Sequence, residues 1–96
     1  MKEEYERLQG AEQLYTSKID DLPKGKPRIK HIHGIEYMYL NRREGTKIVD
    51  KYVGRADSPK ATAILALVEK RDRYIQLRKE TREQLVEVKK VLRGKV

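Results

Sequence analysis

Ninety-six residues with a formal net charge of +8, 40% charged and 38% hydrophobic side chains, describe one small, strongly basic domain. With no Cys, the chain can form no disulfide framework, thiolate zinc site or cysteine nucleophile, and no run approaches the ~20 apolar residues of a membrane span. Met1-Lys2-Glu3-Glu4 leads into charge rather than an apolar leader, so a cytoplasmic protein is the expectation.

The charge is unevenly spread: residues 1–22 carry a net −3, residues 23–56 a net +6 and residues 57–96 a net +5. A basic middle beside an acidic first segment makes a polarised molecule that attracts polyanions.

Glu3–Leu22 reads as an amphipathic helix. Tyr5, Leu8, Glu12, Tyr15, Ile19 and Leu22 recur at steps of three and four, and only Glu12 interrupts the stripe. Leu22-Pro23 ends it, because the residue before proline avoids the α region. Pro23–Pro27 is a basic loop without a phosphate-cradling glycine pattern.

Arg28–Val53 reads as a three-stranded antiparallel meander: Arg28–His33, a turn near Gly34, Ile35–Arg42, a tight turn at Glu44-Gly45, then Thr46–Val53. With Glu44-Gly45 as the two-residue loop, Arg42 pairs with Lys47, Leu40 with Val49 and Tyr37 with Tyr52. Alternation puts Ile35, Tyr37, Tyr39, Ile48 and Tyr52 on one face. Met38, Leu40, Val49 and Val53 share the other with Arg42, Lys47 and Lys51. The chain has six Tyr but no Phe or Trp, so Tyr37, Tyr39 and Tyr52 are expected in the core, with the helices packed on them. The competing reading is that tyrosines on a sheet stack on bases.

Ser58-Pro59 is a strong helix start, with Ser58 as N-cap and Pro59 in the first turn. The helix runs to about Arg93, before Gly94. Ile64, Leu67, Arg71, Tyr74, Arg78, Thr81, Leu85, Val88 and Leu92 form its stripe, and Val68, Ile75, Leu77, Val86 and Val91 widen the apolar surface. Some 35 residues span ~50 Å, against ~30 Å for the first helix. Either the long helix breaks near Glu69–Arg73 or Lys79–Arg82, or its far end packs on another copy or a partner. The expected architecture is α+β: helix, three-stranded antiparallel meander, long helix.

Candidate chemistry is thin. His31-Ile32-His33 sets two imidazoles on one strand face, but no third ligand accompanies them, and no metal or cofactor is expected. Ser17 and Ser58 are the only serines, and neither lies in a nucleophile motif. No enzyme is indicated. The cations are the better site: Arg28, Lys30, Arg42, Arg43, Lys47, Lys51 and Arg55 cluster at the sheet and its turn. A β-ribbon fits the major groove, where Arg and Lys read guanine edges or hold phosphates. The alternative for those charges is edge protection against aggregation.

The stretch EYMYLNRREGTKIVDKYVG resembles a hairpin of the pattern YYYLxYREGGKxxxKYLG. That hairpin occurs in small bacterial and archaeal proteins of unknown function, often associated with mobile elements, and near the start of some transposases. Tyr37, Tyr39, Leu40, Arg43, Glu44, Gly45, Lys47, Lys51, Tyr52 and Gly54 carry the match, about a fifth of the chain. Met38, Arg42 and Thr46 depart from it, and the cysteine cluster of many relatives is missing, so no metal role transfers. The helix–hairpin–long-helix layout agrees. The meander is also similar in outline to the arm-binding domains of phage-type integrases, which lay a three-stranded sheet on DNA. Together these imply an accessory protein that binds nucleic acid, DNA rather than RNA, through the basic sheet face and the Arg43-Glu44-Gly45 turn. A homodimer through the C-terminal helix is the further expectation. The alternative is a protein-interaction module or phage-type inhibitor working through the long helix, with Leu85 and Leu92 as contacts.

Overall fold

A computed structural model describes residues 2–94. The elements run α1 (Lys2–Asp20), β1 (Lys26–Ile32), β2 (Ile35–Glu44), β3 (Lys47–Arg55) and α2 (Pro59–Gly94), an α+β arrangement with one antiparallel sheet in the order β1-β2-β3. The described residues form two compact units, residues 22–70 and residues 2–21 with 71–94. α2 contributes its first part to one and the remainder to the other.

In the unit of residues 22–70, turn chemistry sets the register. His33 (φ 51°) and Gly34 (φ 78°) close β1 onto β2 with positive φ at both central positions, the type I′ requirement. The second loop is Gly45-Thr46 rather than Glu44-Gly45, and Glu44 pairs with Lys47. A loop with Gly45 first puts the only positive φ (61°) on a glycine, whereas starting at Glu44 puts a side chain at the turn's leading position. From Tyr39 to the turn this moves each partner two places along β3, so Leu40 faces Lys51 and Arg42 faces Val49; past the irregularity at Met38/Tyr39 the shift is three, and Tyr37 faces Arg55 rather than Tyr52. A two-place shift preserves the alternation, and the division into faces stands.

Which face is covered is the reverse of the expectation. Met38 and Leu40 of β2 and Val53 of β3 are buried against Ala61 and Val68 of α2, with Ile64 packed alongside. The tyrosine face is left open. Met38, Leu40 and Val53 bring no polar atom to be satisfied. Covering the other face would desolvate three phenols, Asn41, Asp50 and several cations.

Ser58 caps α2 as expected: its Oγ accepts from the Ala61 amide at 3.2 Å and donates to the Arg55 carbonyl at 2.6 Å. The cap starts the helix whose first turns cover Met38, Leu40 and Val53.

Among the described residues, the second unit, residues 2–21 and 71–94, is an antiparallel helix pair. Thr16 lies by Arg78, whose Nη1 donates to its Oγ1 (3.4 Å), while Glu12 meets Arg82 at 3.5 Å. Tyr15 and Tyr74 stack at a tilt, 6.0 Å between centroids. Leu8, Thr81 and Leu85 are buried, and Thr81 Oγ1 donates to the Leu77 carbonyl. Glu12, the residue that interrupts the α1 stripe, thus has its ion partner on α2.

Candidate nucleic-acid interface

The open face of the sheet is assembled by pairing. β1 contributes Lys26, Arg28 and Lys30, which face Asn41, Tyr39 and Tyr37 of β2. β3 contributes Ile48, Asp50 and Tyr52, which face Arg43, Asn41 and Tyr39. Among the strand residues from Lys26 to Arg55, five cations and one carboxylate lie on this face.

The fifth cation arrives through a β-bulge. The partners of β2 jump from Tyr52 to Gly54 between Tyr39 and Met38, leaving Val53 as the extra residue. Without it, Arg55 would follow Lys51 and Val53 onto the covered face. With it, Arg55 stands opposite Tyr37.

At the centre, Tyr39 and Tyr52 meet edge-on at 5.3 Å, and Tyr37 lies 6.2 Å from Tyr52 at 51°. Tyr52 is 54% exposed and Ile48 70%. The Lys30 ammonium sits 4.5 Å above the Tyr39 ring and donates to Asp50 Oδ2 at 2.9 Å, reaching across β2 to do so. Asn41 Nδ2 donates to Asp50 Oδ1 at 2.7 Å. Those two donors, Lys30 first, hold the Asp50 carboxyl below its ordinary value of 3.8. No ion pair among the described residues engages Lys26, Arg28 or Arg43. Arg55 pairs with Asp57 at 3.3 Å.

The seven cations singled out from sequence therefore divide. Arg28, Lys30, Arg43 and Arg55 come together on the open face, whereas Arg42, Lys47 and Lys51 lie on the opposite one, where Arg42 ion-pairs with Glu44. Lys26, Asn41 and Asp50, not among the sequence candidates, join the first four on the open face, as do the tyrosines, which were expected in the core with base stacking as the competing reading. Strand alternation links them to Arg43 and Tyr39, but only the choice of covered face turns that link into a site. The histidines do not share a strand face. β1 ends at Ile32, His33 occupies the turn, and His31 pairs with Glu36 at 2.8 Å. Among the described residues no group of three or more His, Asp or Glu could hold a metal ion. No helix there is long and apolar enough to cross a membrane. Leu85 is buried within its own helix pair; the exposed apolar residues on that part of α2 include Ile75, Val86 and Val91.

A family model for a domain of unknown function, DUF6788, matches residues 1–63. The chain belongs to the DUF6788 family. The match takes in α1, the whole sheet and the capped first turn of α2, and so includes every residue of the open face. No curated protein and no solved structure matches the chain.

Proposed function

We propose that this DUF6788 protein binds nucleic acid through the open face of its sheet, as an accessory factor that does no chemistry itself. One observation carries the reading: the sheet leaves uncovered a face that gathers Lys26, Arg28, Lys30, Arg43 and Arg55 around three tyrosines, with Asp50 the one carboxylate among its strand residues and Asp57 paired with Arg55 beyond them. Cations that neutralise phosphates supply the sequence-independent part of nucleic-acid affinity. Asp50 is already engaged by Lys30 and Asn41, so its negative charge is muted on the surface that would meet a polyanion. The hairpin's likeness to proteins associated with mobile elements, and to the start of some transposases, favours DNA over RNA.

The test is binding of the purified protein to labelled DNA and RNA across a salt series, with mass followed by light scattering. Affinity that falls steeply with salt is the expected result. Binding that ignores salt, or none to any form, removes the proposal. Two copies per complex in the light-scattering measurement would support the homodimer, for which exposed Ile75 and Val86 on α2 are the candidate contacts.

A further inference from the structure

The character of the open face goes beyond its charge. A duplex offers a protein its phosphates and the edges of its bases, while the flat faces of the bases are covered by their neighbours. Cations alone would serve for that. Here the face also carries exposed aromatic and apolar groups on its edge strand β3: Tyr52 at 54%, and Ile48 at 70% beside the hairpin loop. Set against a duplex, these groups would lose water to sugar and phosphate and find no base face to cover them.

The ring angles also oppose a duplex. Tyr52 stands at 61° to Tyr39 and at 51° to Tyr37. Bases stacked on such rings point in different directions, which a regular parallel base stack does not permit and a splayed single strand does. One Tyr39 face is occupied by the Lys30 ammonium, leaving Tyr52 and Tyr37 as platforms. Cations stand beside them in the register: Arg55 opposite Tyr37, Arg28 opposite Tyr39, and Arg43 opposite Ile48. Stacking platforms interleaved with backbone-tracking charge are the two components of single-strand binding.

We infer that the open face takes a strand of unpaired nucleotides, with bases stacked on Tyr52 and Tyr37 and phosphates held by Arg28, Arg43 and Arg55. The inference rests on the nucleic-acid reading above and specifies its ligand. Asp50 and Asn41 lie next to Tyr52 and Tyr39 on the same face, bonded to each other and, through Asp50, to Lys30.

The experiment uses the full chain and three labelled probes of about 15 nucleotides, an oligo-dT, an oligo-U and a mixed-sequence duplex, a length that covers the usual span of small single-strand sites. Both single strands bind more tightly than the duplex. Tyr52→Ala lowers single-strand affinity roughly five- to hundredfold, the range found for loss of one stacked base, and leaves duplex binding almost unchanged. Tyr52→Phe, which keeps the ring, retains the affinity, and circular dichroism of both variants confirms the fold. Duplex binding as tight as single-strand binding, or a Tyr52→Ala variant that binds oligo-dT and oligo-U like the parent, overturns the inference and leaves the nucleic-acid reading standing. Failure to bind all three probes overturns both.

Discussion

Two triple substitutions with the same change in charge separate the face from the field. Arg28→Ala, Arg43→Ala and Arg55→Ala remove the three phosphate contacts of the open face; Arg42→Ala, Lys47→Ala and Lys51→Ala strip the covered one. Each removes three positive charges from a net +8. All six positions are exposed, so stability should change by no more than about 0.5 kcal/mol per site. Each phosphate contact on a single strand contributes about −0.7 to the slope of log affinity against log salt. Losing three open-face contacts therefore flattens the slope by about 2. If the salt-independent part is untouched, a slope change of about 2 is a loss of about a hundredfold at 0.1 M salt. The covered-face charges have the sheet between them and the strand, and the field that reaches around is screened over about 10 Å. Their loss should be at least about tenfold smaller. Fluorescence anisotropy of a labelled strand from 0.05 to about 0.5 M salt measures both slopes. Equal losses would mean that the whole molecule's charge attracts the strand. A larger loss for the Arg42, Lys47 and Lys51 triple would mean that the wrong face has been chosen.

Met38 is fully buried beneath α2, so Met38→Ala should cost about 2–5 kcal/mol in urea unfolding; a loss below about 1 kcal/mol would show that the sheet–helix core is not where the stability lies. Gly10 lies inside α1 with nothing within 4 Å of an added Cβ, and Gly10→Ala should stabilise by about 0.5–1 kcal/mol, read as a raised Tm. Gly25→Ala should do the opposite: φ is 105° and the new Cβ would stand 2.9 Å from the Asn41 carbonyl oxygen; an unchanged Tm would contradict the loop geometry. Asp50 should titrate below 3.8 in a carboxyl-detected NMR titration, and Lys30→Ala should move it back up. Because its folded value is depressed, Asp50 contributes stability above about pH 3.8 and loses it as pH falls toward the folded value; a midpoint at 3.8 in the parent would remove the Lys30–Asp50 clamp.

Much of the fold is legible in local patterns. The α1 stripe through Leu8 and Tyr15, the cap at Ser58 and the α2 stripe through Ile64, Thr81 and Leu85 are short-range signals, and each of these stripe residues is buried or half-buried. Within that apolar surface it is Val68, from the widened part, rather than Leu67 of the stripe that is buried under the sheet, a choice that spacing at three and four cannot resolve. Alternation likewise divided the strands into the right two faces, because an error of two places in the hairpin register leaves side-chain parity intact.

Tertiary structure alone decided which face α2 covers, and with it the candidate site. Counting aromatics argued for a tyrosine core, but each phenol and its charged neighbours would have had to give up water, while Met38, Leu40 and Val53 bury without that cost. The same choice separated Arg28 and Arg43 from Arg42 and Lys47, which look equivalent as a cluster along the chain. The bulge at Val53 that delivers Arg55 is a property of pairing between two strands, and no single-strand pattern encodes it. Periodicity fixes what shares a face; the free energy of desolvation, summed over the neighbours that only folding assembles, fixes which face is buried and which is left to meet a ligand.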